Sequence, residues 1–159
     1  MYVKNRRNYA TLPLKTGKTE CAVSAGSDMN DIARGAQEFL KTDTDVRLAL
    51  LFGSASQGTM TPESDIDIAI ALHSGEMSIE RKIDLATAVE AVLFRTVDVI
   101  DLFSAEGLIL CEAIGGEVLV EDVMLRSSLA IKAMDYRENL LPSVLQAQKE
   151  SVKDWIDER

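Results

Sequence analysis

Apolar positions recur along this chain with two different periods. Ile32, Ala33, Ala36, Phe39 and Leu40 share one side of a helix over Asp28 to Leu40, with Ser27 or Asp28 placed to cap its amino end. The run VRLALLF, Val46 to Phe52, is almost wholly apolar and stops at Gly53, the pattern of a central strand buried on both faces. From Asp65 to Leu72 the pattern alternates. Ile66 and Ile68 fall on one face of a second strand, Asp65 and Asp67 on the other. Ile79, Ile83, Ala86, Val89 and Leu93 return to the helical period, and Val97 to Phe103 reads as a third strand. Glu106 to Ile114 reads as a helix stopped by Gly115 and Gly116, and Glu117 to Val120 as a short strand. Asp122 to Leu141 makes a further helix that Pro142 breaks, and Val144, Leu145, Val152, Trp155 and Ile156 line one side of a last helix over 143–158. Strands and helices interleave without internal repeats, so the fold class is α+β with an α/β-like alternation.

Length and charge narrow the setting. A chain of 159 residues buries roughly 70% of its unfolded surface, enough for one domain. With 47% hydrophobic and 27% charged residues it is neither disordered nor fibrous. The net charge of −9 opposes delocalised attraction to nucleic acid or anionic lipid, so no direct nucleic-acid binding is expected and a polyanionic ligand needs a local, metal-assisted site. Cys21 and Cys111 stand far apart, and with the lone His73 they make no metal-binding spacing. No apolar run reaches the ~20 residues of a membrane span, and no signal peptide follows Lys4, Arg6 and Arg7; the expected location is cytoplasmic. Residues 1–27 carry five basic groups against Glu20, a charge of +4 that leaves −13 for the rest, and form a distinct basic extension. Gly17-Lys18-Thr19 there is not a phosphate loop, because Leu12 stands where the first glycine belongs.

The chemistry concentrates in GSASQGTMTPESDID. Glycine directly after a buried strand lets a ligand approach bare backbone, and Ser54 adds a hydroxyl and an amide at the start of a helical turn, a corner suited to phosphate. Asp65 and Asp67 project to the same side of an extended strand, where both carboxylates can ligate a hard cation such as Mg²⁺. Gly-Ser, ten residues and Asp-x-Asp would occur in roughly 0.4% of shuffled chains of this composition. Asp43 and Asp45 have the same spacing, but they precede a strand in a polar stretch and read as a turn. A calcium loop starting at Asp65 fails, since Ile70 occupies its glycine position. A third carboxylate is expected on the neighbouring strand, where VDVID offers Asp98 and Asp101. These are three apart and face opposite sides, and periodicity leaves the choice open. Ser64 either hydrogen-bonds the turn that aims Asp65 or is a plain turn residue, whereas His73 reads as a loop residue.

LFGSASQGTMTPESDIDIAI resembles the signature of the minimal nucleotidyltransferase (MNT) domains of the polymerase-β-like superfamily, and VDVIDL resembles their third catalytic strand. The similarity spans residues 28–125, the expected nucleotidyltransferase domain, and leaves 126–159 as C-terminal helices that pack on that domain or on a partner. It implies a palm-like fold, a small mixed sheet with helices on one side, ATP bound with Mg²⁺ (two ions), and Asp98 as the third carboxylate beside Asp65 and Asp67. Within that superfamily the chain is most similar to MNT antitoxins paired with HEPN ribonuclease toxins. Members of that group transfer AMP from ATP to a toxin tyrosine and bind the toxin. Here Ala55, Ser56 and Gln57 stand where many relatives have arginines. The resemblance thus implies a protein adenylyltransferase in which Gly53 and Ser54 hold the β- and γ-phosphates. The alternatives are a nucleotidyltransferase for small hydroxyl compounds of the aminoglycoside type, and a non-enzymatic antitoxin that masks its toxin by binding.

Overall fold

The computed structural model describes residues 29–54, 61 and 64–157, with residues 29 and 150–157 as backbone only. The basic extension, Gly17-Lys18-Thr19, Cys21, the Ala55–Gln57 stretch and the Trp155 side chain lie outside this description. In chain order the elements are α1 (Met29–Leu40), β1 (Val46–Phe52), β2 (Ile66–Leu72), α2 (Ile79–Leu93), β3 (Val97–Asp101), α3 (Gly107–Ile114), β4 (Glu117–Val120) and α4 (Val123–Asp135). A π-helical turn, Tyr136–Leu140, then leads into α5 (Leu141–Asp157). Among the described residues four strands form one sheet in the order β3-β2-β1-β4. β1 runs antiparallel to β2 and β4, whereas β2 and β3, joined through α2, run parallel.

Side-chain alternation divides the strands between two cores. Ala49, Leu51, Ile66, Ile68, Ile70, Val97 and Val99 pack with Ile32, Ala36 and Leu40 of α1 and Leu85, Val89 and Leu93 of α2. Leu48, Leu50, Phe52, Ala69 and Ala71 point the other way, onto Leu110 and Ala113 of α3 and Leu129 and Ala133 of α4. Val46 belongs with Ala49 rather than Leu48 because the register shifts between Val46 and Leu48, which turns the strand by one residue. The expectation of helices on one side of the sheet is therefore corrected. Both faces of β1 and β2 are apolar and both are covered, as the near-continuous hydrophobic run of β1 required. Each large aliphatic side chain so buried contributes about 1.5–3 kcal/mol of transfer free energy.

The expected break at Pro142 is also corrected. Pro142 lies in the first turn of α5, and the helix passes through it because the preceding turn widens: the Leu141 amide donates to Tyr136 O, five residues back. Proline has no amide to donate and its ring crowds the carbonyl four residues earlier, so the wider turn accommodates it without ending the helix.

Charges at the sheet end away from Gly53 are consumed by structure. Asp43 pairs with Arg81 and accepts the Asp45 amide, and Asp45 accepts the amide and hydroxyl of Ser74. The Asp43/Asp45 pair is a turn, as its polar context indicated, and His73 is an exposed loop residue whose amide donates to Asp45 O. Asp122 caps α4 by accepting the Leu125 amide at 2.8 Å, and it accepts Arg47 Nε at 2.6 Å. The Leu125 hydrogen bond first, then Arg47, hold its carboxyl below the ordinary value of 3.8. A depressed carboxylate pKa adds stability that is present above the unfolded value and is lost as pH falls through the folded one. Asp122→Asn keeps a good capping side chain but removes the charge. Thermal unfolding should show a lower midpoint for this variant at pH 7, and the difference from the native chain should shrink below about pH 4.

Candidate active site

β1 ends at Phe52, whose register partner on β2 is Asp67, and the partner of Asp67 on β3 is Asp98. These three residues form one row across the sheet. In a parallel ladder laterally paired residues project to the same face, so Asp67 and Asp98 both stand on the α3/α4 side, at the end of the sheet where Asp98 remains exposed. Asp65 precedes β2, is exposed, and is close enough for its charge to act on Asp67. Asp101 lies in a different setting. Its carboxylate accepts the amides of Met77 at 3.2 Å and Phe103 at 3.0 Å, so its oxygens serve the backbone. The structure thus brings Asp98, and not Asp101, to Asp67.

Gly53 closes the site from above. It adopts φ +69°, the left-handed region open to glycine, and a Cβ built there would stand 2.3 Å from Asp67 Oδ2. The bare backbone lies directly over the carboxylate. Ser54 is half-buried and takes a helical conformation immediately after that turn. Its hydroxyl and Gly53 are the described part of the corner that the spacing assigned to phosphate.

The electrostatics are those of a crowded anionic patch. Asp67 is half-buried and its pKa is raised, first by burial, then by Asp98, Asp65 and Glu112 of α3. Lys82 of α2 reaches Asp98, Nζ to Oδ1, at 3.6 Å, with both side chains about half exposed; such a pair is worth about 0–1 kcal/mol and exchanges readily. Among the described residues no three His, Cys, Asp or Glu side chains already converge as a cage for a cation. The donor set nevertheless fits one. It consists of hard carboxylate oxygens, and the destabilised anion of Asp67 is what a divalent cation beside it would relieve. Glu112 and Lys82 were not singled out from sequence, because each sits on an ordinary polar helix position and only the tertiary fold brings it to the patch.

The turn leading to Asp65 is built as its sequence suggested. Ser64 Oγ accepts the Thr61 amide at 2.9 Å, and Thr61 O accepts the Ser64 amide at 3.1 Å. Glu63, between them, lies outside the described residues.

The family model described as Polymerase beta, Nucleotidyltransferase matches residues 35–123, more than half of the chain. The chain belongs to that family. No curated protein matches it significantly. Among solved structures, a chain of a toxin-antitoxin complex with AMP-PNP is similar at 25% identity and a TM-score of 0.60, covering 78% of this chain and 97% of that one. A chain of a mutant MntA-HpeT toxin-antitoxin pair is similar at 26% identity and a TM-score of 0.57, covering 80% and 95%. A chain from the complex of the tri-AMPylated Shewanella oneidensis HEPN toxin with its MNT antitoxin shares the fold at 22% identity and a TM-score of 0.55, covering 79% and 98%. The mixed sheet and its flanking helices are thus a nucleotidyltransferase fold. Among the described residues, no helix is long and apolar enough to cross a membrane.

Because the folded pKa of Asp67 is raised, its ionisation opposes folding, and the penalty grows as pH rises from the ordinary value of 3.8 through the raised one. Asp67→Asn should therefore raise the thermal midpoint of the metal-free protein at pH 7, on the order of 2 °C, and leave it unchanged near pH 3. Gly53→Ala should act in the opposite sense. It places a methyl group in the left-handed region at a cost of about 1–2 kcal/mol and pushes the Asp67 carboxylate aside, so chemical denaturation should show the loss of stability.

Proposed function

We propose that the chain is a Mg²⁺-dependent antitoxin that transfers AMP from ATP to a tyrosine of a cognate HEPN ribonuclease toxin. The observation that carries this reading is the lateral pairing of Asp67 with Asp98 beneath the bare backbone of Gly53. The fold shared with toxin-antitoxin chains, one of them in a complex with AMP-PNP, supports the nucleotide and the partner class. The AMPylated HEPN toxin in complex with an MNT antitoxin of the same fold is the pattern for the acceptor.

In this mechanism Gly53 and Ser54 receive the β- and γ-phosphates, where a backbone without a side chain and a hydroxyl at a helical start suit phosphate oxygens. Asp65, Asp67 and Asp98 would hold the divalent ions. Bound there, Mg²⁺ supplies charge neutralisation on the triphosphate and on the departing pyrophosphate. Asp98, at the exposed end of the row, accepts the proton of the tyrosine hydroxyl as the phenolic oxygen bonds to the α-phosphorus. The bond from that phosphorus to the bridging oxygen breaks and pyrophosphate leaves. The protein's share is positioning, since the carboxylates stand in the sheet before substrate arrives. Residues 28–125 then form the catalytic unit, and the C-terminal helices of 126–159 pack on that unit or on the toxin.

Intact-mass spectrometry of the protein encoded beside this chain, incubated with the chain, ATP and Mg²⁺, tests the reading. AMP-sized increments should appear, and should vanish with Asp65→Asn/Asp67→Asn while that variant stays folded. A stable complex without any increment would replace transfer by masking. Absence of both would redirect the activity to small hydroxyl compounds.

A further inference from the structure

The corner between α2 and β3 is tied to the loop that carries Asp65. Phe94 ends α2 in the left-handed region, φ 55°, with its amide still donating to Glu90 O, and the residue is 79% exposed. A non-glycine residue in that conformation persists only where its surroundings require it. The next two residues show what the corner holds. Arg95 Nη2 donates to Thr61 O at 2.6 Å and to Ser64 O at 3.0 Å, and Thr96 O accepts the Ile66 amide at 2.9 Å.

These bonds bracket one residue. Ser64 O belongs to the peptide that enters Asp65, and the Ile66 amide belongs to the peptide that leaves it. Both peptide planes flanking Asp65 are therefore fixed by consecutive residues of one corner, from a distance of about thirty positions in sequence. Two residues after Thr96 comes Asp98, on the strand that the same corner starts. The turn at 61–64 closes on itself through Ser64, so Arg95 is not needed to form it; what Arg95 adds is the turn's attachment to β3.

We propose that Arg95 is a positioning residue for nucleotidyl transfer: through Thr61 O and Ser64 O it sets Asp65 against the Asp67/Asp98 row. This rests on the reading of those carboxylates as the metal-binding site. Arg95 acts through Asp65, so its loss affects the chemical step more than the binding of ATP.

The test uses the full chain with Arg95→Gln and Arg95→Lys. For Arg95→Gln, kcat of toxin modification should fall about 10- to 100-fold while KM for ATP stays within about threefold, since a misplacement of about 1 Å in the site can cost about 100-fold. Arg95→Lys should recover part of the loss, because an ammonium group can donate to the same two carbonyls. Hydrogen exchange at the Ser64 and Asp65 amides should quicken on Arg95→Gln, and Mn²⁺ affinity measured by calorimetry should weaken, with the thermal midpoint little changed. An unchanged kcat, or a loss confined to KM for ATP, would overturn the proposal; the latter would make Arg95 a phosphate ligand. Should the native chain transfer no nucleotide, the functional reading fails separately, and exchange and Mn²⁺ affinity decide alone: if Arg95→Gln leaves both unchanged, Arg95 positions nothing.

Discussion

Four carboxylates share one small patch of this molecule, and the backbone must hold them together against their mutual repulsion. Asp67 and Asp98 are neighbours because β2 and β3 pair in parallel with Ile66 opposite Val97 and Ile68 opposite Val99. That register is guarded by hydrophobic burial and not by the acids. A slip of β3 by one residue would turn Val97 and Val99 toward the α3/α4 face and drive Asp98 into the core against α1 and α2. The cost of burying an unpaired carboxylate, several kcal/mol, is far larger than the repulsion between two partly solvated ones. Hydrophobic packing on one face therefore dictates the chemistry displayed on the other.

The same logic explains how much was legible in advance. Val46–Phe52 and Glu117–Val120 are strands with the bounds their patterns indicate, because short apolar runs between glycines and polar turns leave few alternatives. The separation of Asp98 from Asp101 followed from the two-residue period once the strand was known; which of the two meets Asp67 needed the parallel register, a long-range fact. Helices on both faces were implied by the lack of alternation in VRLALLF, but the resemblance to a family suggested one face and outweighed that signal. Pro142 misled for a local reason. Proline forbids a regular turn before it, and the chain answered with a wider one. Lys82, Glu112 and Arg95 had no signature at all, since a charged residue on a helix or in a corner looks the same whether or not a fold brings it to a site.

Charge is handled differently at the two ends of the sheet. At one end Asp43 meets Arg81, Asp45 meets Ser74, and Asp122 meets both Arg47 and a helix amide. Each carboxylate there has a cationic or hydrogen-bonding partner. At the other end Asp67 is surrounded by Asp65, Asp98 and Glu112, and its ionised form is opposed by burial and by all three. A sequence under no demand but stability would dilute such a cluster with amides or cations, as happens at the other end of the sheet in the polar turn at Asp43–Asp45, where Arg81 and Ser74 meet the carboxylates.

The asymmetry constrains what the patch is for. Repulsion among fixed carboxylates is relieved by cations placed between them. The bare backbone of Gly53 leaves no side chain to supply the missing positive charge, and Lys82 reaches only the outermost acid through a solvent-exposed pair. A ligand that brings cations with it, and whose own anionic groups are received by backbone and hydroxyl at Gly53 and Ser54, meets both conditions at once. The proposed nucleoside triphosphate with Mg²⁺ is a ligand of that kind, and relief of the repulsion among the carboxylates would add to its binding.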